Sequence, residues 1–155
     1  MSTSLKEGEK APAFSGKDQD GKKISLNDYK GKKIILYFYP KDNTPGCTAQ
    51  ACNLRDNYAM LKKKGFEIIG VSIDGEKSHK KFEGNYELPF RLVADEDKKI
   101  VNTYGVFGEK KFMGRKFMGT IRTTFIINEK GIIEKIIAKP DTKHHTQQVL
   151  EALEG

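Results

Sequence analysis

Hydrophobic positions along this chain fall into two alternating kinds of run. Lys33-Ile-Ile-Leu-Tyr-Phe-Tyr39 and Phe66-Glu-Ile-Ile-Gly-Val-Ser-Ile73 are nearly continuous apolar stretches rich in β-branched and aromatic residues. That pattern predicts strands buried on both faces. Between them, positions 47, 51, 54, 58 and 61 are Cys, Ala, Leu, Tyr and Leu. The 4-3-4-3 spacing marks one apolar face of a helix running to about Lys64 and ended by Gly65.

Further strands are predicted at 90–94, 120–127 and 132–138, the last two joined by a turn at Asn128-Glu-Lys-Gly131. Helices are predicted at about 75–85, at 97–104 with Ile100 and Val101 inward, and at 142–153 with Val149, Leu150 and Leu153 inward. Asp20-Gly21, within 11–31, reads as a hairpin turn, and 105–119 reads as a long loop. The order β-β-β-α-β-α-β-α-β-β-α argues for an α/β fold, a mixed central sheet flanked by helices on both faces. With the early hairpin it matches a thioredoxin-like core carrying an N-terminal β-hairpin extension, in one domain spanning 1–155.

Composition narrows the function. With 37% hydrophobic and 32% charged residues, the chain reads as a soluble globular protein. No stretch approaches the roughly 20 apolar residues of a membrane span. The first ten residues mix charges without an apolar run, unlike a secretory signal, so the expected location is the cytoplasm with no membrane partner. The net charge of +7 is spread along the chain as surface lysine. The one basic run with aromatics, Lys110–Phe117, reads as a solvated loop whose Phe and Met could edge a pocket or a partner surface. Nucleic-acid binding is not expected.

The chain has two Cys and three His. Without a second Cys pair a structural zinc site is not expected, and no cofactor is implied. A reducing cytosol disfavours a permanent disulfide, which leaves either a reactive pair or two silent core thiols. His144-His145 reads as surface or capping, since adjacent residues point to different sides of a helix. Asp74 and Asp95, at strand ends, read as turn residues.

The segment Pro40-Lys-Asp-Asn-Thr44-Pro-Gly-Cys47-Thr-Ala-Gln-Ala-Cys52 lies where a buried strand ends and a helix begins. In open α/β sheets, ligands bind at that end of the strands. A helix's first turn also has unpaired N–H groups and a positive dipole end. A free thiol with a pKa of about 8.5 is only about 3% thiolate at pH 7, and lowering that to about 6 requires about 3.4 kcal/mol. A helix terminus supplies about 0.3–1 kcal/mol, or about 2 at best, so a fixed cation is expected nearby. Arg122, in the predicted strand 120–127, is the first candidate; Arg55, two turns along the helix from Cys47, is the second.

Pro40-x-x-x-Thr44-x-x-Cys47 resembles the active-site signature of the peroxiredoxins. Thr-Pro-Gly-Cys-Thr-Ala-Gln-Ala-Cys resembles the subfamily called bacterioferritin comigratory protein or peroxiredoxin Q. The likeness extends to Gly8–Phe14, to Gly119-Thr-Ile-Arg122-Thr-Thr-Phe and to His144-His145.

The resemblance implies a thiol peroxidase acting on hydrogen peroxide or organic hydroperoxides. Cys47 would attack the terminal peroxide oxygen and become a sulfenic acid. Thr44 would hold the peroxide and orient the thiolate, and the N–H groups of Gly46 and Cys47 would bind its oxygens. Arg122 would stabilise the developing charge, and Pro40 would shield the pocket. Cys52 would be the resolving thiol that closes a disulfide with Cys47, to be reopened by thioredoxin or a similar donor. The subfamily implies a monomer.

That disulfide carries a geometric condition. Five residues of helix rise about 7.5 Å and leave the Cα atoms about 8.7 Å apart, beyond the roughly 4.4–6.8 Å a disulfide spans. The segment from Cys47 to about Asn57 must therefore unwind in each cycle. The polar positions Gln50, Asn53, Asp56 and Asn57 suggest a helix start that opens cheaply. The other readings are a thioredoxin-type dithiol oxidoreductase, disfavoured by four rather than two intervening residues, and a basic binding or chaperone-like protein with incidental thiols.

Overall fold

A computed structural model describes residues 3–154; Met1, Ser2 and Gly155, the ends of the predicted 1–155 span, lie outside the described residues. The first hairpin is β1 (Ser15–Lys17) with β2 (Lys23–Ser25), turning at Gly21, and a short 3-10 helix (Leu26–Tyr29) follows. The core strands are β3 (Lys33–Phe38), β4 (Phe66–Ser72) and β5 (Arg91–Ala94). Helices α1 (Pro45–Asp56), α2 (Tyr58–Lys63), α3 (Glu76–Tyr86) and α4 (Lys99–Thr103) fall between and after them. The chain then forms β6 (Phe107–Phe112), β7 (Arg115–Thr120), β8 (Thr123–Ile127), β9 (Ile133–Ile137) and α5 (His145–Glu154).

Seven strands form one sheet in the order β2-β1-β5-β4-β3-β8-β9. Strands β3, β4 and β5 are parallel, while β8, β9, β1 and β2 join antiparallel. The sheet is therefore mixed, with its continuous apolar runs at the centre, where both faces are covered. The period of two along β3 divides the core. Ile34, Leu36 and Phe38 face a cluster with Val71, Val93, Ile100, Val101, Tyr104 and Phe125. Ile35, Tyr37 and Tyr39 face the other, where Cys47, Ala51 and Leu54 of α1 pack beside Leu61, Phe82 and Val149. The predicted helical face at 47, 51, 54 and 61 is thus the buried one.

Three predicted elements differ. The single helix over 47–64 is two, interrupted at Asn57 (φ −107°, ψ 8°). The loop predicted over 105–119 is a hairpin, because Met113 and Gly114 both take positive φ and close a two-residue turn. Its pairing is local and needs no buried face, so hydrophobic periodicity does not reveal it. The strand predicted over 120–127 is divided between β7 and β8, leaving Ile121 and Arg122 between strands.

Candidate active site

The site begins at the carboxyl end of β3. Pro40 follows the fully buried Tyr39 and is half-buried. Asn43 takes φ +61°, turning the chain toward α1. Thr44 is the N-cap residue in extended conformation, and Pro45 occupies the first helical position, where its missing N–H costs nothing. The Thr44 hydroxyl does not cap the helix; it donates to the Lys41 carbonyl at 2.8 Å, keeping its lone pairs free. The first helical bond runs from the Thr48 N–H to the Thr44 carbonyl. The Gly46 and Cys47 N–H groups stand in the first turn, ahead of any intrahelical acceptor.

Cys47 is 1% exposed and its thiol is free, as is that of Cys52, which is half-buried one and a half turns along the same helix. Arg122 Nη2 donates to Cys47 Sγ at 3.2 Å, while Nη1 donates to Gln50 Oε1 at 2.7 Å. The planar fork thus engages a sulfur and an amide three residues apart on one helix face. It passes close over Gly46, where an added Cβ would stand 3.3 Å from Nη2. Arg122 was predicted inside a strand; it lies just before β8, where the backbone leaves the antiparallel ladder and the side chain turns onto α1. Arg55, the second candidate cation, turns away to the Tyr86 carbonyl (2.8 Å) and to Asp56 (2.9 Å).

Several residues at the site have no role assigned from the sequence. Gln50 is fully buried rather than a loose polar position. Its spacing of three from Cys47, on the apolar side of α1, is the sequence signal that could have identified it. Asn53, also expected to ease opening, instead donates to the Lys143 carbonyl and accepts the Thr146 N–H. Lys110 reaches the Thr120 carbonyl at 2.8 Å. Burial and the neighbouring Arg122 charge push its ammonium down, opposed by Cys47. Beneath α1, burial holds the Tyr37 hydroxyl well above its ordinary range, with the negative charge of Cys47 adding to the effect.

A buried network fixes the loop leading to Cys47. Asp42 accepts from Tyr39 Oη at 2.6 Å and Ser78 Oγ at 2.8 Å, and lies 2.6 Å from His79 Nδ1. The Asp42 N–H donates to Asp74 at 2.8 Å, so Asp74 does more than shape a turn. His79 Nε2 lies 2.9 Å from the Val93 carbonyl, so both ring nitrogens meet oxygen partners. Asp42, Asp74 and His79 cluster closely enough for a cation, but these hydrogen bonds already occupy them. Asp95 accepts the Ile100 and Val101 N–H groups at the start of α4.

The two adjacent His separate. His144 is on the surface, 3.4 Å from Asp141. His145, predicted as surface or capping, is fully buried, with Nε2 at 2.9 Å from Thr124 Oγ1 and Nδ1 at 3.0 Å from Gln148 Oε1. Burial pushes its imidazole down to about 4. A surface cavity of about 580 Å³ bordered by Ala11, Tyr29, Ile34 and Ile127 lies at the opposite end of β3 from Cys47.

No helix among the described residues is long and apolar enough to cross a membrane. Residues 8–136 match the AhpC/TSA family. Among curated relatives, "Peroxiredoxin Bcp" of Escherichia coli is 44% identical over 149 residues, covering 96% of each chain. "Putative peroxiredoxin bcp" of Coxiella burnetii is 44% identical over 150 residues, covering 97% of this chain and 99% of the relative. Among solved structures, a cysteine variant of peroxiredoxin Q from Xylella fastidiosa superposes with a TM-score of 0.90 at 27% identity, covering 97% and 96% of the two chains. The bacterioferritin comigratory protein of Xanthomonas campestris, described for its alkyl peroxide reduction activity, superposes at 0.84 with 31% identity over 91% of this chain and 90% of the other.

Proposed function

The chain belongs to the AhpC/TSA family and is a peroxiredoxin, a thiol-dependent peroxidase, and we propose that it reduces hydrogen peroxide and organic hydroperoxides through Cys47, with Cys52 resolving the oxidised sulfur. The Cys47 thiolate attacks the terminal oxygen. An S–O bond forms as the O–O bond breaks, Cys47 becomes a sulfenic acid, and the other oxygen takes a proton and departs as water or an alcohol. The Cys52 thiol then condenses with the sulfenic acid, releasing water and forming the disulfide. A dithiol donor such as thioredoxin returns both sulfurs to thiols.

The observation that carries this reading is the Arg122 guanidinium on Cys47 Sγ at 3.2 Å, at the open first turn of α1. A fixed cation meets the sulfur at a helix start whose first-turn N–H groups are unpaired, beside the space where an oxyanion develops. Thr44 and the Gly46 and Cys47 N–H groups bind the peroxide, and Pro40 limits water access. Both thiols lie on one helix, so the cycle closes within a monomer, as one domain over 1–155, in the reducing cytoplasm.

Stopped-flow mixing with hydrogen peroxide tests the assignment. Reduced wild type is expected to turn over with a dithiol donor. Cys47→Ser is expected to consume none, and Cys52→Ser to stop after one equivalent. Insulin reduction without peroxide consumption would instead favour a thioredoxin-type oxidoreductase.

A further inference from the structure

The β6–β7 hairpin stands apart from the seven-stranded sheet as its own two-stranded ribbon. It carries every exposed large hydrophobic side chain among the described residues: Phe112 (67% exposed), Met113 (88%), Phe117 (46%) and Met118 (62%). Apolar surface gathered in one place marks a contact. The turn itself is informative. Met113 takes φ +51° and Gly114 φ +78°, the two-residue geometry that favours Asn-Gly. A long apolar side chain stands at the tip in a backbone conformation that Asn would adopt more easily.

The register distributes these side chains around the ribbon. Phe117 pairs with Lys110 and Phe112 with Arg115, on one face; Met118 pairs with Glu109 and Lys111 with Lys116, on the other. Apolar and cationic groups therefore occupy both faces, with Met113 at the end. A protein partner covering one face would leave the other in water. A medium that meets the tip would take up Met113 and Phe112 first; Arg115 and the Lys111–Lys116 pair stand next along the ribbon, with Phe117 and Met118 behind them. At about 3.3 Å per residue the exposed arms extend about 10–13 Å, comparable with the roughly 5–10 Å over which interfacial segments enter a bilayer.

We propose that the β6–β7 hairpin is a docking finger for an anionic phospholipid surface, inserting Met113 and Phe112 at its tip past headgroups that Arg115, Lys111 and Lys116 neutralise, with Phe117 and Met118 against the headgroup layer. The contact is peripheral and needs no spanning helix, and it departs from the expectation of no membrane partner. The base of the finger runs through Ile121 into Arg122, with the Ile121 N–H bonded to the Val106 carbonyl. A docked chain therefore holds the Cys47 site within one hairpin length of the lipid. That consequence rests on the peroxidase reading; the contact does not.

The test is co-sedimentation of the full chain with phosphatidylcholine vesicles with and without phosphatidylglycerol, beside peroxide turnover in solution. Met113→Asn suits the turn, so it removes the apolar tip without endangering the fold. Wild type is expected to pellet with the anionic vesicles and to be released by salt. Met113→Asn, and Lys111→Gln combined with Lys116→Gln, are expected to weaken partition about fivefold or more, with turnover in solution unchanged. Failure to pellet with anionic vesicles would overturn the proposal, as would pelleting that Met113→Asn leaves intact. A dimer in solution that Met113→Asn dissociates would give the finger to a protein partner instead. Loss of peroxide turnover with vesicle binding preserved would count against the peroxidase reading alone.

Discussion

Asn53 on α1 and Thr146 at the start of α5 are joined backbone to side chain: Asn53 Oδ1 accepts the Thr146 N–H at 2.8 Å. Asn53 Nδ2 meanwhile donates to the Lys143 carbonyl at 3.0 Å. One amide therefore supplies an acceptor to a first-turn N–H of α5 and ties down the preceding loop. It also sits next to Cys52, on the turn of α1 that must unwind before Cys52 can reach Cys47.

Asn53→Ala is expected to act in opposite directions on stability and on resolution. Loss of the two bonds is expected to destabilise the reduced protein by about 1–3 kcal/mol, read by urea denaturation. Disulfide closure after a single peroxide pulse is expected to quicken, read by rapid quench and thiol alkylation. Closure at the wild-type rate would mean that this clamp stays shut while the disulfide forms.

Arg122→Met is expected to lower the rate constant with hydrogen peroxide about a hundred- to a thousandfold, comparable with removal of one preorganised oxyanion donor. Arg122→Lys is expected to recover only part of the loss, because an ammonium cannot reproduce the planar fork that meets Cys47 Sγ and Gln50 Oε1 together. Stopped-flow rates for the two variants check this; full recovery by lysine would leave charge alone as the requirement.

Gly46→Ala separates chemistry from stability. The new Cβ would lie 3.3 Å from Arg122 Nη2, so the guanidinium must shift. Within a helix the same change favours folding by up to about 1 kcal/mol. The expected result is slower peroxide reduction with an unchanged or higher melting temperature. Unchanged kinetics would mean that the fork tolerates displacement.

His145 gives the fold a pH dependence of definite sign. Its folded pKa is lowered from 6.5 to about 4. Below pH 6.5 the unfolded chain takes up a proton that the folded protein refuses, so stability is full above that pH and falls as pH drops toward 4. The loss reaches about 3 kcal/mol at about 1.36 kcal/mol per unit. Urea denaturation from pH 7.5 to 4.5 is expected to show this slope in wild type and a flatter one in His145→Gln. Equal slopes would place the titration elsewhere.

Local order in the sequence reveals the strands at β3 and β4, the buried face of α1 and the reactive segment Thr44–Cys52, because each depends on neighbours within a turn or two. The Met113-Gly114 hairpin escapes that reading because its pairing needs only positive φ at two residues, one of them a residue that rarely supplies it. Gln50 escapes because a buried polar side chain looks exposed until its partner is known, and that partner is Arg122, distant in sequence. His145 looks like a surface residue for the same reason until β8 brings Thr124 against it.

By itself, then, the sequence determined which residue types stand at a strand-to-helix junction, and hence that a cysteine there faces a helix's unpaired amides. That follows from periodicity and turn chemistry, which act over a few residues. Only the tertiary structure decided which cation reaches the sulfur. Arg55 and Arg122 are equal in charge, but antiparallel pairing of β8 with β3 brings Arg122 over Gly46, while α3 draws Arg55 away through the Tyr86 carbonyl. Distances between elements far apart in the chain are set by how the sheet is ordered, and no local pattern encodes them.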